Sequence, residues 1–185
     1  MEEKTNKYFV DSILWVAAIF LFYLACVAQT VLFHDALGYE RLGRLLVSDG
    51  WHAYFTEGIN REPLYPFFVS VAMRLGQWAG VDYTVVLMVN QVLLLLLMLW
   101  LLNRILVRMA FADMSRGFVL LYATTSPAIV YTGFIVWSEI ITYPLVLLVI
   151  LAAVRAWECV HTEVFLWKRG LRCGFVLAEI GRAHV

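Results

Sequence analysis

Residues 63–80, PLYPFFVSVAMRLGQWAG, form the stretch whose reading decides the fold. It is apolar enough to invite assignment as a membrane span. Its charge-free run before Arg74 is only about ten residues, half of the roughly 20 that a spanning helix needs. Pro63 and Pro66 near its start suit a helix N-terminus. The segment therefore reads as a juxtamembrane helix that does not cross, and every later element takes its side of the membrane from that choice.

Its surroundings are those of a polytopic membrane protein. The chain has 185 residues, 63% of them hydrophobic and 15% charged. Soluble domains are about half apolar and about a quarter charged. Residues 12–33 carry no charge and exceed a bilayer crossing. They are too long for a signal-peptide core, and Cys26 after Tyr23-Leu24-Ala25 is a poor lipoprotein site, so they read as an uncleaved first span. Residues 83–102 make a second, with Asn90 and Gln91 as a polar pair suited to hydrogen bonding between helices. A third, 117–137, is interrupted by Thr124-Thr125-Ser126-Pro127; a fourth is 140–154; a fifth begins at Phe175 and is cut short. The predicted fold is all-α: about four complete transmembrane helices, an outer loop with juxtamembrane helices, and a truncated fifth span.

The positive-inside rule tests the non-crossing choice. With 63–80 outside the membrane core, the N-terminus, the loop with Arg104, Arg108 and Arg116, and the stretch with Lys168, Arg169 and Arg172 share the cytoplasmic side. The loop at 33–66 and Glu139 then share the outer side. Had 63–80 crossed, Glu139 would face away from that loop. The loop's own Arg41, Arg44 and Arg61 count slightly against the assignment.

The loop at 33–66 is the longest polar segment, holding Asp35, Glu40, Asp49, Glu57 and Glu62. Charges gathered between apolar spans mark a candidate site. Within it, 36–47 places Tyr39, Leu42, Leu45 and Leu46 at helical spacing, as in a surface-lying amphipathic helix. Ser48-Asp49-Gly50 supplies turn chemistry at its end. Fourteen basic residues balance 14 acidic ones, so nothing points to nucleic acid. Cys26, Cys159 and Cys173 lack metal or disulfide spacing.

The last seven residues, EIGRAHV, are the translation that GAG ATC GGA AGA GCA CAC GTC would give, a string that matches a common sequencing-library adapter. Residues 179–185 are therefore expected to be non-native, with 1–178 the N-terminal part of a longer transmembrane domain.

Three features, in order, carry a resemblance. An acidic residue follows the first span and opens a Tyr-containing amphipathic helix, HDALGYERLGRLL. Arg61-Glu62-Pro63-Leu64-Tyr65-Pro66 follows. Ser126-Pro127 then precedes Ser138-Glu139 at the opening of a new span. Over about residues 10–178 the chain resembles the GT-C superfamily of membrane glycosyltransferases, and within it the bacterial relatives of dolichyl-phosphate-mannose–protein mannosyltransferases and aminoarabinose transferases. The family pattern often has two adjacent acidic residues in the first loop; here Asp35 is followed by Ala36.

The resemblance implies sugar transfer from a polyprenyl-phosphate donor to a glycan, lipid or protein acceptor at the outer face of a bacterial inner membrane. It implies Asp35 and Glu139 as the catalytic acidic pair and Arg61 facing the lipid phosphate. The residue chemistry fits. A partly desolvated carboxylate can act as base. An arginine fork matches phosphate. Hard oxygen ligands on Asp35 and Glu139 suit a divalent cation, Mg or Mn. Trp51, Tyr54 and Phe55 could stack on a sugar or sit at headgroup level.

Each residue also has a plainer role. Asp35 can be a helix N-cap. Glu139 can sit at a helix start where the dipole favours it. Arg61 can pair with Glu57 or Glu62, and Glu40 with Arg44 four residues on. Tyr39 and His52 are candidate substrate contacts; Tyr39 and Tyr65 are most simply packing or belt residues. A second function class is a non-enzymatic transporter or flippase component for lipid-linked saccharide. The nearly charge-free spans argue against it.

Overall fold

The computed structural model describes residues 2–28, 35–56 and 62–161. Expectations at Arg61, Glu57 and His34, at the basic stretch 168–172, at the fifth span and at the 179–185 tail lie outside the described residues. The described residues form eight helices: α1 Glu2–Val27, α2 Asp35–Ser48, α3 Gly50–Thr56, α4 Leu64–Ala79, α5 Tyr83–Arg108, α6 Asp113–Thr125, α7 Pro127–Thr132 and α8 Glu139–His161.

Among the described residues three stretches are long and apolar enough to cross a membrane: Phe9–Val27, Tyr83–Arg108 and Glu139–Glu158. On α1, Trp15, Ile19 and Phe22 are 66–72% exposed, a continuous apolar face that water would penalise and lipid would not. The segment 63–80 becomes α4, a 16-residue helix that is not among the three.

The interrupted span expected over 117–137 takes the form of two short helices, α6 and α7, and an irregular stretch. Ser126 takes extended dihedrals (φ −61°, ψ 116°) because the proline ring of Pro127 disfavours helical geometry in the residue before it. Pro127 then starts α7 at the position where a missing N–H costs nothing. After Thr132 the chain is irregular up to Ser138 and largely buried, with Phe134, Ile135 and Val136 all packed inside. Non-helical backbone at such depth is tolerated only where protein covers it.

Two contacts set the register of α5 against α8. Arg108 Nη1 pairs with Glu158 Oε2 at 2.5 Å, joining the C-terminal ends of α5 and α8. Gln91 of α5 reaches the carbonyl of Ile135 just before α8 begins. The two helices therefore run parallel. Glu158 lies 19 residues after Glu139, about 28 Å of helix; 19 residues before Arg108 is Val89. That length matches a hydrocarbon core of about 30 Å. The first turns of α5 project beyond the start of α8, and α2, α3 and α4 gather there.

The α4–α5 hairpin shows why this end is rigid. Gly80 adopts φ +69°, and the N–H groups of Gly80 and Val81 both bond the Gly76 carbonyl. A Cβ at Gly76 would lie 2.9 Å from the Val81 carbonyl oxygen and 3.0 Å from Tyr83 Cα, both backbone atoms that cannot swing aside. Gly76→Ala is expected to destabilise the chain by about 1–3 kcal/mol. A lowered thermal midpoint in lipid nanodiscs checks this; an unchanged midpoint would remove the close approach as a constraint.

Candidate functional site

The site is built from α2 upward. Its buried residues, Ala36, Tyr39, Leu42, Gly43 and Leu46, recur at three- and four-residue spacing; Ala36, Tyr39 and Gly43 face α4, and Leu42 and Leu46 pack with Tyr54 of α3. A Cβ at Gly43 would come within 2.8 Å of Val69 Cγ1, so glycine there lets the two helices close together. The pairing continues from Tyr39 against Tyr65, edge to face with centroids 4.8 Å apart, to Arg74 Nη2, which donates to the Leu46 carbonyl at 3.5 Å. Glu62, immediately before α4, is thereby delivered to the Tyr39 hydroxyl.

Tyr39 Oη lies 2.5 Å from Glu62 Oε1 and 3.1 Å from Ser138 Oγ. A phenol has one proton. It goes to the carboxylate, the stronger acceptor, so Ser138 donates its own hydroxyl proton to Tyr39. This contact spans 99 residues of sequence and joins the polar loop to the start of α8. Around it is a cavity of about 240 Å³ lined by Tyr39, Glu62, Tyr65, Ser138, Glu139 and Thr142, with Leu64 and Leu145 at its apolar edge. Glu139 is the first residue of α8, where the helix dipole favours its charge.

Behind the cavity is a clasp. Gln91 is fully buried; its Nε2 donates to Tyr65 Oη at 3.0 Å and to the Ile135 carbonyl at 2.7 Å. One amide thus ties α5 to α4 and to the irregular stretch that delivers Ser138 and Glu139. Among the described residues Gln91 Oε1 has no partner. Burial, above all, pushes the Tyr65 hydroxyl far above the ordinary phenol range, so it stays protonated and can both accept from Gln91 and donate. Burial, with Glu62 and Tyr39 adding to it, likewise raises Tyr54.

The residues singled out from sequence are distributed as follows. Tyr39 and Glu139 meet in the cavity. Asp35 is the exposed first residue of α2, one turn before Tyr39, and does not line the cavity. His52 is exposed on α3 and does not line this cavity. Trp51 of α3 stacks on Phe55 and on Phe67, at 5.8 and 5.7 Å. The expected Glu40–Arg44 pair forms at 2.7 Å, and the Tyr83 hydroxyl also donates to Glu40, at 2.8 Å.

Sequence reasoning missed Glu62, Ser138 and Tyr65 as cavity residues. Glu62 had been weighed only as a partner for Arg61. The signal for it was its place one residue ahead of Pro63, at the entry to a helix.

The cavity offers two carboxylates, Glu62 and Glu139, and four hydroxyls, those of Tyr39, Tyr65, Ser138 and Thr142. These are hard oxygen donors of the kind that hold Mg or Mn. Among the described residues no group of three or more His, Cys, Asp or Glu is placed to hold a metal ion. No protein-family model, curated protein or solved structure matches the chain.

Proposed function

We propose that this chain belongs to a membrane glycosyltransferase that takes a sugar from a polyprenyl-phosphate donor at the outer face of a bacterial inner membrane. In this reading α1, the α6–α7 pair, α5 and α8 make four crossings, one of them broken, and α4 stays outside. The N-terminus and the arginines at 104, 108 and 116 face the cytoplasm. The observation that carries the proposal is the Tyr39–Ser138 contact, which supports a single cavity with two carboxylates at the level where the apolar part of α8 begins.

The chemistry follows from the residues. An acceptor hydroxyl oxygen attacks the anomeric carbon as the bond from that carbon to the phosphate oxygen breaks. The acceptor's proton passes to a carboxylate, Glu139 or Asp35, and the electron pair leaves with the polyprenyl phosphate. Glu62, held by Tyr39, keeps one oxygen free for a sugar hydroxyl. Glu139, with Asp35 or Glu62, would hold a Mg or Mn ion, which supplies positive charge opposite the departing phosphate. Arg61 is the proposed protein cation for the same phosphate, and Tyr39 and His52 are proposed sugar contacts. The acceptor is a glycan, a lipid or a protein.

Two measurements test this. In the full-length protein, Asp35→Asn is expected to abolish transfer while membrane insertion stays normal; unchanged turnover removes Asp35 from the mechanism. A cysteine at position 139 is expected to react with an impermeant reagent applied from outside. Protection from outside together with reaction from the cytoplasm overturns the topology. The break at Ser126-Pro127 favours one rival, a transporter of lipid-linked saccharide, because discontinuous helices line transport sites. Movement of the labelled lipid across the membrane without any transfer product decides for it.

A further inference from the structure

The geometry points to a second, saccharide-binding subsite in the cleft between α2, α4 and the first turn of α5. The cleft holds about 510 Å³, within the range of about 300–1,000 Å³ typical of small-molecule sites. Arg44 and Ser48 form one wall, Gln77 another, and Asp82 and Tyr83 the third. Its polar groups are ordered by bonds made on their far sides. Glu40 Oε1 receives Arg44 Nε at 3.2 Å and Nη2 at 2.7 Å, leaving Nη1 as a free donor. The same guanidinium lies over the Tyr83 ring, 5.6 Å from its centroid. Asp82 Oδ1 receives the Thr84 N–H at 2.7 Å and the Thr84 hydroxyl, leaving Oδ2 as an acceptor. Pre-ordered groups lose little entropy when a ligand arrives.

Charge selects the ligand class. Glu40 already answers Arg44, and Asp82 adds a further negative charge, so a phosphate or other anion is disfavoured. A guanidinium donor, a carboxylate acceptor, an amide and a hydroxyl together suit a neutral polyol. Val47, Met73 and Val81 supply apolar surface for the C–H face of a sugar ring. The cleft lies beyond the α5 residue level with the start of α8, and Arg44 is five residues, about 7.5 Å along the helix, from Tyr39. As the holding site for a glycan acceptor it rests on the transferase reading; as a saccharide site it does not.

The test uses the 185-residue chain in phosphatidylcholine nanodiscs and saturation-transfer difference NMR. The probes are the methyl glycosides of glucose, galactose, mannose and N-acetylglucosamine, with glycerol 3-phosphate as the anionic probe. At least one glycoside is expected to receive saturation and glycerol 3-phosphate none. Gln77→Trp, which fills the cleft from an exposed position, is expected to weaken the signal by about tenfold or more. Ser48→Leu on the facing wall does the same if Gln77→Trp lowers the thermal midpoint. Absence of any glycoside signal, its survival in both variants, or preference for glycerol 3-phosphate overturns the subsite. Glycoside binding that persists in a full-length protein without transfer activity overturns the transferase reading and leaves the subsite standing.

Discussion

Gln91→Ala is expected to lower the stability of the chain in lipid nanodiscs by about 4 kcal/mol, one of the two largest effects anticipated. Two costs add. Removing the amide deletes hydrogen bonds to Tyr65 Oη and the Ile135 carbonyl, worth about 1 kcal/mol each net. It also opens a void at a fully buried position, and large-to-small changes of that kind cost about 2–5 kcal/mol in well-packed cores. Two facts hold the total toward the lower end. The Ile135 carbonyl keeps the Trp137 N–H, at 3.0 Å, and the unpartnered Gln91 Oε1 is removed along with the rest. Gln91→Leu keeps the volume and isolates the hydrogen-bond part, so it is expected to cost only about 2 kcal/mol. Thermal unfolding of both variants checks the order; equal losses would mean that packing carries none of the effect.

The second large effect concerns the cavity. In the full-length protein, Glu139→Gln is expected to reduce sugar transfer by about 10²–10⁴-fold, the usual contribution of a positioned general base. Tyr39→Phe removes the hydroxyl that orients Glu62 and contacts Ser138, and is expected to cost about tenfold, the equivalent of one hydrogen bond of roughly 1.4 kcal/mol. The ordering matters more than either number. A residue that orients a neighbouring carboxylate should lose less than the carboxylate that takes the proton. Transfer assays on both variants, with insertion and thermal midpoint as controls, read this directly. A larger loss for Tyr39→Phe than for Glu139→Gln would reverse the roles.

Much of the fold was legible in the letters because membrane helices write themselves in composition. Long charge-free runs located α1, α5 and α8, and the short run before Arg74 marked α4 as different. The Ser126-Pro127 break was visible too, but its consequence was not. The sequence reading has an interrupted span continuing to Trp137, whereas helix α7 ends at Thr132 and the buried stretch after it follows a path that no periodicity encodes. Helix ends also moved. α1 begins at Glu2 rather than Ser12, since backbone hydrogen bonding does not stop at a charged residue.

The cavity was half legible. Tyr39 and Glu139 were singled out because one is an aromatic on an amphipathic helix and the other a charge at a helix opening. Glu62 and Ser138 were not, because their role depends on who stands across from them. By itself the sequence determined that the chain is helical and apolar, that acidic residues gather before α4 and at the start of α8, and that α4 is a short helix. Only the tertiary structure decided that Tyr39, Glu62, Ser138 and Glu139 share one cavity. The physical reason is that local periodicity sets where a side chain points from its own helix. The Gly43 approach, the Gln91 clasp and the α5–α8 register set which side chains meet.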